Sequence, residues 1–322
     1  MKMKNTICLI GAGNLGSRYL EGIGNCKNNY RIYVVDNYEL SLRNCKNHWL
    51  SNVKNENRIK HDISFEGSIM NLPKKIDLAI ISTTANVRSS IIEELTKSTL
   101  IDFWIIEKVV AQSKQQLKEI RNNTKQSKSV WVNIPRRLMD WAISLKDIFQ
   151  NHNNLKITVC GNDWGMASNC IHYFDLVEWW TNGRLEKINN KKLNKWFESK
   201  RKGFYDIHGE ILAEFSNGTI LILKSIICND EVVMTIENEQ GLKWEVNQIS
   251  KFIKYPDNSI VKINVPYQSI LTPDIIDEIM YYGKCRLPSL EENYSANKIL
   301  LASFLSHWNQ FHLSKTKVLP IT

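Results

Sequence analysis

The chain has 322 residues, with 42 Lys plus Arg against 33 Asp plus Glu and a formal charge of +9. Its 43% hydrophobic and 23% charged residues match a folded globular protein rather than a disordered one, and no apolar run approaches the roughly 18 residues that a membrane span needs. The basic excess permits nucleic-acid binding, but no helix-turn-helix, RNA-recognition or finger signature accompanies it, so no nucleic acid and no membrane is expected and an anionic small molecule is the better partner.

The first residues, Met1-Lys2-Met3-Lys4, look like a signal-peptide n-region, yet the apolar stretch behind them is short and runs into a glycine motif, so the expectation is a cytoplasmic protein. Thr6 to Ile10 reads as a strand. Gly11, Gly13 and Gly16 follow it as G-x-G-x-x-G, and a helix-like stretch from Ser17 to Gly22 comes next. The first glycine permits a tight turn, the second lets the backbone approach a pyrophosphate, and the third lets helix and strand pack closely. The pyrophosphate would then sit at the positive helix N-terminus, beside Asn14 and Leu15. A second strand, Arg31 to Val35, ends in Asp36, which is 36 − 16 = 20 residues past Gly16. An acidic residue there accepts the adenosine ribose hydroxyls. It also repels a 2′-phosphate, and Asn37, Tyr38 and Glu39 bring no cation to offset that, so NAD is the expected cofactor rather than NADP.

Further strands are expected near Ile59 to Ile63, at Leu78 to Ser82, Phe103 to Glu107 and Ser129 to Asn133, with Val87 to Thr96 and Ser113 to Asn122 as crossover helices. This alternation predicts an α/β fold whose residues 1–133 form a doubly wound parallel sheet, a dinucleotide-binding Rossmann domain. Asn133-Ile134-Pro135-Arg136-Arg137 follows the last of these strands, where ligands gather outside the carboxyl ends of a sheet. One arginine of the pair is placed to grip a carboxylate or phosphate, and the other is open to a structural role.

Residues 134–322 follow a different grammar, expected to form a substrate and oligomerisation domain with the C-terminal helix packing back. Leu155 to Gly161 reads as a strand and Asn169 to Trp180 as a helix, preceded by Asp163-Trp164-Gly165. Trp164 would either offer a stacking face to a sugar ring or lie in the core. From Arg184 to Lys202 eight basic residues face two acidic ones, a run read as a solvated stretch. Ile207 to Phe215 and Thr219 to Ser225 flank Ser216-Asn217-Gly218 as a hairpin, and Glu231 to Ile236, Gly241 to Val246 and Phe252 to Tyr255 continue what looks like an antiparallel series. Ser289-Leu290-Glu291-Glu292 has the form of a capping box and opens a helix to about Phe311, with Leu300, Leu301, Phe304, Leu305 and Trp308 on its apolar stripe. The seven cysteines include no C-x-x-C pair and the seven histidines no ligand-like spacing, so neither disulfide framework nor metal site is expected.

Four blocks, in order along almost the whole chain, resemble the Gfo/Idh/MocA oxidoreductases, relatives of glucose-fructose oxidoreductase and inositol dehydrogenase. They are the glycine motif; Ile81-Ser82-Thr83-Thr84-Ala85-Asn86-Val87-Arg88, similar to a strand-end T-P-x-x-x-H; Glu107-Lys108-Val109-Val110, similar to E-K-P; and Ser168 to Asp175, similar to D-x-x-x-H-x-x-D. The resemblance implies a Rossmann domain followed by an α/β domain on an open, mostly antiparallel sheet, serving as a homo-oligomer, dimer or tetramer. It implies NAD contacts from Ser82, Thr83, Thr84, Arg88, Glu107 and Lys108, with Lys108 beside the nicotinamide stabilising charge on the reacting oxygen. It makes His172 the general acid/base and places Asn169 towards the substrate. Asp175 shares a helix face with His172 and would either orient it or form a structural salt bridge or cap. Ser168 stands where catalytic members commonly carry Asp; it hydrogen-bonds but holds no charge. Two readings result: an NAD-dependent dehydrogenase acting on a sugar or sugar derivative, with an anionic sugar of a surface-polysaccharide pathway as one candidate, or a non-catalytic dinucleotide and sugar sensor.

Overall fold

The computed structural model describes residues 4–322, so Met1, Lys2 and Met3 of the n-region-like start lie outside the described residues. The chain forms two compact units: one takes 1–110, 115–133 and 266–290, the other 111–114, 134–265 and 291–322.

The first unit contains β1 (Asn5–Ile10), α1 (Asn14–Gly24), β2 (Tyr30–Val35), α2 (Glu39–Asn52), α3 (Asn55–Arg58), β3 (Asp62–Glu66), β4 (Lys75–Ile81), α4 (Ala85–Ser98), β5 (Leu100–Glu107), α5 (Lys114–Thr124) and β6 (Ser129–Asn133). The six strands form a parallel sheet in the order β3-β2-β1-β4-β5-β6. Ile7, Leu9, Ile32, Val34, Leu78, Ile80, Trp104 and Ile106 are buried on it, because a sheet covered on both faces needs nearly continuous apolar strands. Strand order reverses between β1 and β4, and their carboxyl ends open the crevice where doubly wound sheets bind ligands. The strand expected near Ile59 to Ile63 lies at β3 instead. Ile59 is 74% exposed in the turn that ends α3, so its apolar character misplaced the strand.

The second unit contains α6 (Asp140–Phe149), β7 (Lys156–Asn162), α7 (Met166–Thr181), β8 (Leu185–Glu198), β9 (Tyr205–Phe215), β10 (Ile220–Ile226), β11 (Val233–Glu237), β12 (Lys243–Asn247), β13 (Phe252–Lys254) and β14 (Ile260–Lys262). Its eight strands run β14-β13-β12-β11-β7-β10-β9-β8; only the central β7–β10 pair is parallel. Ile207, Ile211, Ala213 and Phe215 alternate with half-buried Glu210, Leu212 and Glu214 along β9, so one face packs under α7 and the other stays polar. The basic run 184–202 is not a solvated loop. Most of it builds edge strand β8, with Lys200, Arg201 and Lys202 in the turn that follows, and two β8 lysines meet β9 carboxylates: Lys192 Nζ lies 2.9 Å from Glu210 and Lys187 Nζ 4.0 Å from Glu214. Lysines projecting from an edge strand discourage pairing with a further chain, which suits this composition to a sheet margin.

Two helices complete the fold. α8 (Gln268–Tyr282) belongs to the first unit, where it packs on α1 so closely that a Cβ at Gly22 would lie 2.5 Å from Thr272. α9 (Leu290–Phe311) runs in the second unit from Glu291 onward, burying Ala296, Leu300, Leu301 and Phe304.

Candidate dinucleotide and substrate sites

In the first unit the three glycines each do a distinguishable job. Gly11 turns the chain at φ +99°, and a Cβ there would meet Ser82 Oγ and the Thr83 nitrogen at 3.0 Å. Gly16 lets α1 settle on β1, since a Cβ would fall 1.9 Å from the Gly11 carbonyl oxygen. Gly13, the N-cap of α1, has no atom within 4 Å of its Cβ position and faces open space, and no acidic residue occupies the first turn of that helix. Backbone N–H groups with no side chain over them at a helix N-terminus suit a pyrophosphate. Ser82 donates to the carbonyls of Ile10 (3.0 Å) and Gly11 (2.8 Å), so its hydroxyl fixes the turn. Asp36 accepts from the Ala12 N–H through Oδ2 (2.8 Å) and the Tyr38 N–H through Oδ1 (2.9 Å). Each of its oxygens retains acceptor capacity for a ribose hydroxyl. Thr83 Oγ1 is buried and has no hydrogen-bond partner among the described residues, while Thr84 Oγ1 donates to Asn86 Oδ1 at 2.6 Å. Asn14 is exposed and Leu15 half-buried beside the turn. These features fit a bound NAD.

Lys108 is half-buried at the end of β5, and its peptide bond to Val109 is cis. The residues around it are held rigidly. Glu107 is buried and accepts from Tyr19 Oη (2.6 Å) and Asn133 Nδ2 (2.5 Å), and burial pushes its carboxyl up from the usual range against the pull of those donors. Arg88 is only 1% exposed and donates to the carbonyls of Thr83, Val109 and Val110. Its guanidinium thus ties the β4 end to the segment directly after Lys108. Neither Tyr19 nor Asn133 carries a sequence signal for this role; their partners are 88 and 26 residues distant.

In the second unit the two arginines separate. Arg137 makes a bidentate pair with buried Asp175, Nε to Oδ2 at 2.8 Å and Nη2 to Oδ1 at 2.7 Å. Burial raises the Asp175 carboxyl to about 6 even against that cation. Of the two roles left open for Asp175, the salt bridge is the one seen. Arg136 instead lies over the Tyr173 ring at 4.3 Å and donates from Nε to Gln248 Oε1 at 3.4 Å, while its buried Nη1 has no partner among the described residues. Tyr173 meets Trp164 edge-on at 5.5 Å between ring centroids. Trp164 donates from Nε1 to the Lys224 carbonyl, and Asn169 Nδ2 donates to the Trp164 carbonyl, both at 2.8 Å. His172 is half-buried on α7, one turn beyond Ser168. Ser168 donates to the Gly165 carbonyl (3.2 Å) and to Asp206 Oδ2 (3.3 Å). Asp206, Tyr173 and Gln248 have no spacing motif that would mark them in the sequence. A separate groove of about 400 Å³, lined by Trp244, Lys254 and Tyr255 among others, contains none of the sequence-predicted site residues.

The parallel sheet with its glycine turn and the mixed eight-stranded sheet form a fold shared with solved oxidoreductases. Among solved structures, the chain is similar to an oxidoreductase from Agrobacterium radiobacter in complex with NAD+, L-tartaric acid and magnesium, with TM-score 0.71, 14% identity, and coverage of 96% of this chain and 97% of that one. It is similar to the myo-inositol dehydrogenase of Lactobacillus casei in complex with NAD(H) and myo-inositol, with TM-score 0.67, 15% identity and 96% coverage of each chain. A UDP-N-acetylglucosamine 3-dehydrogenase from Acidithiobacillus ferrooxidans has TM-score 0.67 and 13% identity, with 94% of this chain and 96% of that one covered. No family model and no curated protein matches the sequence. The likeness is one of fold.

Proposed function

We propose that the chain is an NAD-dependent oxidoreductase that moves a hydride between nicotinamide and a hydroxyl or keto carbon of a sugar or sugar derivative. The open space over Gly13 at the start of α1, with Asp36 at the end of β2, is the observation that carries this reading. The bound dinucleotide supplies the acceptor or donor of hydride at its C4. On this reading His172 is the acid/base for the substrate hydroxyl proton and Lys108 the cation that stabilises charge on a reacting oxygen beside the nicotinamide, while in the oxidising direction the hydride passes to the dinucleotide as the carbonyl forms. Tyr19 and Asn133, donating to Glu107, and Arg88, donating to the Val109 carbonyl, keep the Lys108 backbone in place for this. Arg136, with a buried Nη1 awaiting an acceptor, favours a substrate with a carboxylate or phosphate, such as a nucleotide sugar, a uronic acid or a nonulose of surface-polysaccharide synthesis. A homo-oligomer belongs to the same reading.

The test is equilibrium binding of NADH and NADPH, followed by energy transfer from tryptophan to nicotinamide, and then hydride transfer to anionic sugars by the wild type and Lys108→Ala. Saturable binding that prefers NADH is expected, and the variant should lose about 100-fold or more in turnover with NADH affinity kept. Tighter NADPH binding would overturn the role of Asp36, absence of both would overturn the oxidoreductase reading, and unchanged turnover would remove Lys108 from the reaction.

A further inference from the structure

α7 begins in an unusual way for a helix carrying a candidate acid/base group. Its N-cap is Gly165, in the left-handed region at φ +69°, which has no side chain to cap with, and no acidic residue occupies the first turn. The missing cap comes from another element. Asp206, at the start of β9 and 38 residues beyond Ser168, directs Oδ1 to the Ala167 N–H at 2.8 Å and Oδ2 to the Ser168 hydroxyl at 3.3 Å. Its own strand supplies a further donor, the Ile207 N–H at 2.8 Å. Asp206 is 6% exposed. Space for it depends on Gly165, where a Cβ would lie 3.2 Å from Asp206 Oδ2 and 3.0 Å from Asn169 Nδ2.

The consequence for His172 follows from helix geometry. Ser168 and His172 are four residues apart, so they are neighbours on one face of α7. A carboxylate bonded to the first turn beside Ser168 favours a protonated imidazole on the next turn of that face, and its three donors pull it toward its charged form against burial. We propose that Asp206 is the positioning residue for His172, delivering through Ser168 the negative charge that α7 itself does not encode at that turn. The proposal rests on the assignment of His172 as acid/base. It turns the serine at position 168, where the resemblance leads one to expect aspartate, from a lost carboxylate into the hydroxyl link to one held by the neighbouring strand.

The groups that bear on Asp206 are few. Burial raises its carboxyl, Asp163 in the turn before α7 pushes the same way, and the N–H groups of Ala167 and Ile207 with the Ser168 hydroxyl pull it back. Asp163 is itself bonded to His208 Nε2 at 3.0 Å, on the same strand as Asp206.

The experiment follows the His172 titration by NMR of the full chain labelled at histidine, assigned by difference from His172→Gln. It needs neither cofactor nor substrate, so it is read independently of whether NADH binds. Asp206→Asn preserves a carbonyl acceptor for the cap and removes the charge, and it should lower the His172 midpoint by about half a pH unit or more. Ser168→Ala should lower it by less. Ser168→Asp added to Asp206→Asn should restore it, and where turnover is measurable the pH profile should follow the same order. An unmoved His172 midpoint in folded Asp206→Asn overturns the proposal. If that variant does not fold, an unmoved midpoint in Ser168→Ala does so. Loss of NADH binding in the wild type would instead overturn the oxidoreductase reading while leaving the titration result standing.

Discussion

Replacing Gly16 and Gly13 by alanine separates close packing from ligand space within one turn. At Gly16 the new Cβ would sit 1.9 Å from the Gly11 carbonyl oxygen and 3.1 Å from Ser82 Oγ. Carbon–oxygen contacts of this kind settle at roughly 3.3 Å or more, so α1 must withdraw from β1 by over ~1 Å. Overpacking of that order costs about 1–3 kcal/mol, whereas alanine in an unobstructed helix would gain up to ~1 kcal/mol over glycine. The sign alone therefore discriminates. At about 2–4 °C per kcal/mol for a domain of this size, Gly16→Ala should melt roughly 3–10 °C lower. Gly13→Ala meets nothing within 4 Å and has ordinary backbone angles, φ −69° and ψ −170°. Its melting should change little, with a cap loss of at most ~1 kcal/mol, but its methyl occupies the space left for phosphate. NADH affinity should fall by about tenfold or more, equivalent to roughly 1.4 kcal/mol. Thermal melts and NADH titrations of both variants check this. A Gly13→Ala protein that binds NADH like the wild type, or a Gly16→Ala protein that melts higher, would refute the reasoning.

Arg137→Ala strands Asp175, which is fully buried, and should cost about 3–5 kcal/mol in denaturant unfolding at a pH where the carboxyl is charged; without its cation the carboxyl takes up a proton at a higher pH than in the wild type, so the loss should shrink as pH falls towards about 6 and level off below it. A loss that does not vary with pH would refute that account. Glu178 accepts the Leu185 N–H at 2.9 Å, and burial raises it from 4.5 to about 6. A carboxyl raised on folding contributes stability that is complete below its unfolded value and lost as pH climbs through its folded one. Glu178→Gln retains an acceptor without the titration, so the variant should gain on the wild type by about 2 kcal/mol between pH 4.5 and pH 7. A gap between their melting temperatures that stays constant across that range would count against it.

The parallel sheet was legible because its signals are local: Ile7 to Ile10 followed by Gly11, Gly13 and Gly16 specifies strand, turn and helix within a dozen residues. β8 was hidden by composition. Lysines that project from a sheet margin look the same in a list of residues as lysines in a loop, and only pairing with β9 distinguishes them. α8 gave no readable start because Pro273 interrupts its pattern and apolar residues occupy several of its faces. At the site, adjacent Arg136 and Arg137 are chemically identical in sequence, and their different jobs come from what the fold brings beside each, Tyr173 and Gln248 for one and Asp175 for the other. Asp206 was illegible for the same reason: its partners are contributed by a helix 38 residues earlier.

The placement of residues 266–290 in the first unit governs the order in which that unit can be finished during synthesis. By the time Asn133 leaves the ribosome all six strands of its sheet exist, yet α1 still lacks the helix that covers Gly22, and Tyr30 of β2 lacks the Asp277 carboxylate to which its Oη donates at 2.9 Å. The first unit is therefore completed only after the whole eight-stranded sheet has been translated. A fragment ending at Asn133 would expose the α8-facing side of α1 to solvent, a ready site for aggregation or chaperone capture.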